Sequence, residues 1–155
     1  MRKLLVSILF MVTVVSSNVQ ASVPTEVEEI LDQREFIQDM GYSDDDIFLI
    51  GLVTVGEAEG ESELGKRLVI DTILNRIDAD IYPDTAYEVC HQKSQYSCMH
   101  NGRCNRCKKK VTQEILDLVK EEILERTNDE VLYFNTGGYN CKHPIIQEGA
   151  HYFGR

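Results

Sequence analysis

Three glutamates, each two positions from the next, close an apolar run. In "DDIFLIGLVTVGEAEGE", Glu57, Glu59 and Glu61 follow Phe48–Val55 almost directly, whereas acids normally stay in water. A carboxyl at the end of a buried segment is partly desolvated, which favours its neutral form. A neutral carboxyl is a general acid, the group that glycoside cleavage needs. Glu57 is the first candidate, and Glu59 and Glu61 are candidates for a second carboxylate. The plain alternative is a helix terminus with three solvated acids, because perturbed carboxylates also arise for structural reasons.

The elements that must position these residues can be read from the same rows. Ser43 caps a helix that opens on Asp44, Asp45 and Asp46, acids suited to the positive end of its dipole. That helix is apolar nearly all round, from Ile47 to Val55, so it belongs in the centre of a domain and carries Glu57 at its end. Ser62 starts a third helix with Ile70, Ile73, Leu74 and Ile77 on one face, and Pro83 stops it. Residues 86–110 read as irregular, and Thr112 caps a further helix with Ile115, Leu116, Val119 and Ile123 on one face. "VLYFN", Val131–Asn135, and the terminal "HYFGR" read as short strands joined through a loop that holds Cys141 and Pro144. Ahead of all this, residues 22–42 form a leader and first helix, with Val27, Ile30, Leu31 and Ile37 in a stripe and Gly41 as its stop. The fold class is mostly α, an α+β domain with a small β element, over residues 43–155.

Residues 1–21 read as a secretory signal. A basic start at Arg2 and Lys3 precedes an apolar run, Leu4–Val15, and cleavage is expected after Ala21. The run is short of the ~20 residues that span a bilayer, so the expected product is exported, secreted or periplasmic, with no stable membrane insertion. The chain carries 16 basic and 26 acidic residues; loss of Arg2 and Lys3 leaves 14 against 26, a net charge of −12. That charge argues against nucleic acid as a partner. Five cysteines, Cys90, Cys98, Cys104, Cys107 and Cys141, favour disulfides in an exported chain, with one left over. A zinc set built on the Cys104–Cys107 pair with His91, His100 or His143 is the alternative. The basic cluster Arg103, Arg106, Lys108, Lys109 and Lys110 reads as a solvated loop.

Five segments in order carry a family resemblance: "VGEAEGE", "GKRLVIDTILNRI", "YPDTAYEVCHQKSQYSC", "LYFNTGGYNCKHP" and "EGAHYFGR". Together they resemble the SleB/CwlJ-type cell wall hydrolases, the spore cortex-lytic enzyme family, from about Asp46 to Arg155. The resemblance implies a lysozyme-like helical domain acting on peptidoglycan glycan strands, as a lytic transglycosylase or muramidase cutting between N-acetylmuramic acid and N-acetylglucosamine. It places the catalytic acid at Glu57 and needs no cofactor or metal. Glu61 matches the second glutamate of the motif, in a catalytic or supporting role, and is expected to satisfy backbone N–H groups at the start of the next helix. Asn75 and Arg76 are expected to bond the loop that positions Glu57. Gln95, Tyr96 and Ser97 match the substrate-groove element, with Tyr133, Asn135 and His151 as groove or support residues. The family's late-loop tryptophan is missing, since the chain has none, and the Cys-rich stretch after Ser97 is not a general family feature. The domain is expected to act as a monomer.

Two other functions fit the residues. One is a metal-dependent amidase or peptidase on the same polymer, using the Cys/His cluster. The other is a non-catalytic wall-binding protein stapled by disulfides.

Overall fold

The computed structural model of the chain describes residues 25–155 apart from 139, 140, 142 and 143. The expected signal segment and His143 lie outside the described residues. The helices are α1 (Thr25–Asp39), α2 (Asp44–Ala58), α3 (Glu63–Asp78), α4 (Ala86–His91), α5 (Ser97–His100), α6 (Arg103–Cys107) and α7 (Gln113–Leu124), with a 3-10 turn at Lys108–Lys110. Three short strands follow, β1 (Tyr133–Thr136), β2 (Ile146–Glu148) and β3 (His151–Gly154). The expected fold class, mostly helical with a small sheet, is the one observed.

α2 is the axis of the domain. A capping box opens it: Ser43 Oγ accepts from Asp46 N at 3.2 Å, and the Asp46 carboxylate accepts from Ser43 N at 2.9 Å. Ile47, Ile50, Leu52, Val53 and Val55 are buried on every side of it, because α3, α4, α5, α6 and α7 all pack against it. Its interior hydroxyl, Thr54, is satisfied by donating to Ile50 O at 2.9 Å. α3 starts on Ser62, whose Oγ accepts from Gly65 N at 3.1 Å. Ile70, Ile73 and Leu74 are fully buried as the periodicity predicts, and Ile77 half-buried. Leu68 and Val69 are buried too, on a second face that meets Ala58, Val131 and Phe153. α3 is therefore a wall between the main core and a smaller one beneath the sheet.

Residues 86–110 are not irregular. Thr85 caps α4 by accepting from Glu88 N at 3.2 Å, and the segment then turns as α4, α5, α6 and the 3-10 turn. Its cysteines do what larger apolar residues do elsewhere: Cys90, Cys98, Cys104 and Cys107 are all buried in the main core. Cys98 and Cys104 are disulfide-bonded, while Cys90, Cys107 and Cys141 are free and buried. Cys104 is thus bound to Cys98 and does not form a C-x2-C ligand pair with Cys107. Of the apolar stripe of α1 only Ile37 is buried, and Val27, Ile30 and Leu31 stay exposed.

The sheet has the order β1-β3-β2, antiparallel throughout. β1 begins two residues later than the sequence suggests, because Val131 is a fully buried plug of the smaller core. β2 was not anticipated; three residues within a loop-like stretch carry no periodic signal. The register pairs Phe134 with Phe153 and Thr136 with His151, so these share one face, while Tyr133, Asn135 and Tyr152 lie on the other.

A buried carboxyl pair ties α3 to α7. Glu122, fully buried, accepts from Arg67 Nη1 at 2.7 Å, Thr127 N at 2.6 Å and Thr127 Oγ1 at 2.9 Å. Asp71, also fully buried, accepts from Asn128 N through Oδ2 at 2.8 Å. Burial first, then its hydrogen bond with Glu122 and the Glu122 charge, push the Asp71 carboxyl up to about 8. Asp71 is therefore protonated near neutral pH, whereas Glu122, against the cost of burial, is held below its ordinary value by Asp71, Arg67 and Thr127. Because the folded-state pKa of Asp71 lies above its unfolded one, its stabilising contribution is complete in acid and is lost as pH rises through about 8. The urea midpoint of the wild type is expected to fall from about pH 4 to about pH 8 and to level off above it, and that of Asp71→Asn, which has no proton to lose, to stay level. A parallel fall in both proteins would rule out Asp71 as the source. Asn75 Nδ2 donates to Asn128 O and Val131 O, both at 2.9 Å. Asn75→Ala strands both carbonyls and is expected to cost about 2–4 kcal/mol of unfolding free energy, read by chemical denaturation.

Candidate active site

The three glutamates go to three different places. α2 ends at Ala58, and the chain reverses through Glu59–Ser62, with Glu61 N donating to Ala58 O at 3.1 Å. Glu59 is exposed and paired with Lys110 Nζ at 2.7 Å, and that bond holds its carboxyl below the ordinary range. Lys110 belongs to the basic cluster on α6 and the 3-10 turn.

Glu57 sits on the last turn of α2 and is half-buried. Its Oε1 accepts from Cys98 N at 2.7 Å and from Ser97 Oγ at 3.3 Å, both at the start of α5. No hydrogen bond to Oε2 occurs among the described residues, so one carboxyl oxygen is fixed and the other is free to meet a substrate. Gly56, one residue earlier, makes this approach feasible. A Cβ there would lie 2.6 Å from Cys98 Sγ and 3.0 Å from Cys104 Sγ, so the disulfide rests directly on the helix backbone.

Glu61 does not cap α3; Ser62 Oγ does. Glu61 Cβ lies against the first turn, where a Cβ on Gly65 would be 2.9 Å from it, but the carboxylate runs past that turn. Glu61 reaches instead across to the sheet, where its Oε1 is 3.7 Å from His151 Nδ1. Its Oε2 occupies the space over Gly149, where a Cβ would be 1.8 Å away, and Gly149 has φ +54°. Ser62 Oγ donates to Glu148 Oε1 at 2.6 Å, so consecutive residues of the α2–α3 link grip consecutive parts of the β2–β3 turn. His151 is buried against Phe134, edge-on with ring centroids 5.1 Å apart, and its Nδ1 has no hydrogen-bond partner among the described residues.

The remaining candidates separate into surface and support. Gln95 and Ser97 are exposed, and Ser97 lies beside Glu57. Tyr96 is not a groove aromatic; it is 1% exposed. Its ring lies under the Arg76 guanidinium at 5.4 Å and near Phe134 at 6.3 Å, and burial pushes its hydroxyl above the usual tyrosine range. The sequence around it, polar on both sides, suggests exposure, but the alternation in "QYSC" buries Tyr96 and Cys98 and leaves Gln95 and Ser97 outside. Asn75 and Arg76 hold the approach to β1 and not a loop around Glu57: Asn75 bonds Asn128 and Val131, and Arg76 Nε donates to Leu132 O at 2.5 Å. Arg76 lies over Tyr96, two residues before Cys98. Tyr133 and Asn135 lie on the sheet face opposite His151, with Tyr133 packed on Gly154. The partner of Glu57 that side-chain reasoning missed is the amide of Cys98, since a backbone N–H leaves no mark on residue type. Gly56 is the legible trace of it. A glycine inside a buried helix costs about 1 kcal/mol relative to alanine and signals a close neighbour. Among the described residues no group of three or more His, Cys, Asp or Glu side chains is arranged to hold a metal ion, and no helix is long and apolar enough to cross a membrane.

Comparison with known proteins gives a consistent picture. Residues 60–153 match the family model described as Cell Wall Hydrolase, a range that includes Glu61 and begins just after Glu57. A spore cortex-lytic enzyme of Oceanobacillus iheyensis is 30% identical over 124 residues, covering 73% of this chain and 42% of the relative. One from Bacillus cereus is 30% identical over 122 residues, covering 73% and 45%. The chain therefore spans less than half the length of these curated relatives. Among solved structures, the catalytic domain of the germination-specific lytic transglycosylase SleB from Bacillus anthracis superposes with a TM-score of 0.62 at 24% identity, over 74% of this chain and 98% of that one. The catalytic domain of Bacillus cereus SleB gives 0.63 at 22% identity, over 74% and 92%. The helical domain and its closing sheet thus share the fold of these catalytic domains, and the chain belongs to the cell wall hydrolase family.

Proposed function

We propose that this protein is an exported lytic transglycosylase that cuts the peptidoglycan backbone between N-acetylmuramic acid and N-acetylglucosamine, with Glu57 as the catalytic residue. The observation that carries the reading is the Glu57 carboxyl, tethered through Oε1 to Cys98 N and Ser97 Oγ, with Oε2 unengaged. The fold shared with the catalytic domain of the Bacillus anthracis lytic transglycosylase supports it. The buried disulfide is in keeping with an oxidising, extracytoplasmic site of action. Glu57 donates its proton to the glycosidic oxygen as the C1–O bond breaks. The resulting carboxylate then takes the proton of the same sugar's 6-hydroxyl, whose oxygen closes on C1. The product has a 1,6-anhydro end and Glu57 is again protonated, so a single carboxyl serves as acid and then as base. That differs from the two-carboxylate arrangement of most glycosidases. Glu61 is a supporting residue, spanning from the α2–α3 link to Gly149 and His151. Ser97, exposed beside the acid, and Gln95, exposed two residues before it, are the groove residues that meet the glycan. The domain acts as a monomer and needs no cofactor.

Glu57→Gln keeps the shape and the amide contact but has no proton to give. Muropeptide release from purified sacculi is expected to drop by about 10²-fold or more, with an unchanged circular dichroism spectrum and melting temperature. Mass spectra of wild-type products are expected to show anhydro-muramic ends. Reducing ends would convert the reading to a muramidase. Intact glycan with cut stem peptides, or full activity in Glu57→Gln, would overturn it.

A further inference from the structure

We propose that the Cys98–Cys104 disulfide is the positioning device of Glu57, so that the acid is competent only while this bond is formed. The inference rests on the reading of Glu57 as the proton donor. Both groups that hold Glu57 Oε1 come from α5, a helix of four residues. A helix this short does not sustain itself, so something outside it must fix the Cys98 amide. The bond to Cys104 does so. Cys98 and Cys104 are 0% and 4% exposed, and their sulfurs lie 4.0 and 3.8 Å from the carbonyl oxygens of Val53 and Leu52 on α2. The third element is Gly56, whose lack of a side chain leaves room for the bonded sulfurs one residue before Glu57. Amide, disulfide and glycine form one contact, and the catalytic carboxyl hangs on its edge.

Opening the bond takes two electrons and two protons. A dithiol reductant supplies both and ends as its own cyclic disulfide, leaving thiols on Cys98 and Cys104. Two unbonded sulfurs must separate to van der Waals distance. The space over Gly56 is already filled by the bonded pair, so α5 shifts outward and the Cys98 amide withdraws from Glu57. The rest of the core keeps its packing, because the other elements around α2 do not depend on this bond.

The experiment compares oxidised enzyme, enzyme reduced with dithiothreitol, reoxidised enzyme and Cys98→Ala/Cys104→Ala on purified sacculi. Thiol labelling under denaturing conditions reports the state: three labelled cysteines when oxidised and five when reduced, from one disulfide among five cysteines. Reduction and the double substitution are expected to lower kcat by about tenfold to a hundredfold, the scale of a misplaced catalytic group. KM and the circular dichroism spectrum should hold, and reoxidation should restore only the wild type. Equal kcat in all four samples would overturn the inference. So would a fall in kcat that tracks loss of the folded spectrum, since the bond would then be a general staple. If the double variant does not fold, the reduction and reoxidation cycle of the wild type decides. Full activity in oxidised Glu57→Gln would sink the reading of Glu57 itself, whereas an inactive Glu57→Gln beside a redox-insensitive wild type would sink only the role of the disulfide.

Discussion

A helix that is apolar on all sides has no face to give to water, so other elements must enclose it. α2 imposes that condition here, and the helical part of the fold is its consequence. α3 and α7 cover it along its length, and α4, α5 and α6 close the remaining side. Two glycines set how near these neighbours come. At Gly51 a Cβ would lie 3.3 Å from Ile115 of α7, and at Gly56 it would meet the disulfide. Enclosure stops where α2 stops, and Glu57 occupies that boundary: its backbone belongs to the core and its carboxyl reaches the surface.

The α2–α3 link serves a second purpose, joining the helical body to the sheet. Glu61 and Ser62 reach Gly149 and Glu148, respectively, and Ala58, Leu68 and Val69 supply the apolar floor on which Val131 and Phe153 rest. Asn75 and Arg76 secure the same sheet from its other end, at the entry to β1. The polar residues of "LNR" on an otherwise apolar helix are thus explained by backbone carbonyls that would be stranded without them. Gly149 is tied to this arrangement twice over, by a positive φ and by the Glu61 carboxylate lying where its side chain would be.

Much of this was legible in the sequence, for identifiable reasons. Long-range burial of α2 follows from its composition, and the caps at Ser43, Ser62 and Thr112 follow from residue type; all three bond as such residues do at helix starts. The fold class and the family were visible in the order of five motifs. Short helices were not, because four to six residues give no full period, and the cysteines that bury α4–α6 read equally well as staples of a loop. Tyr96 was misplaced because an aromatic between polar neighbours looks exposed until the two-residue alternation around it is noticed. Asn75 and Arg76 were expected to bond the loop that positions Glu57, but their partners lie more than fifty positions away, at Asn128–Leu132. No local pattern encodes a partner at that distance. The Cys98 amide was invisible for a simpler reason: every residue except proline has one.

α1 has a consequence of its own. Ile37 is its sole buried side chain, and an exposed ion pair between Arg34 and Asp44 adds little. Docking of this helix therefore rests on about 2–3 kcal/mol, the transfer energy of one isoleucine. Amide hydrogens along Thr25–Asp39 accordingly exchange by local opening, well before the domain around α2 gives way.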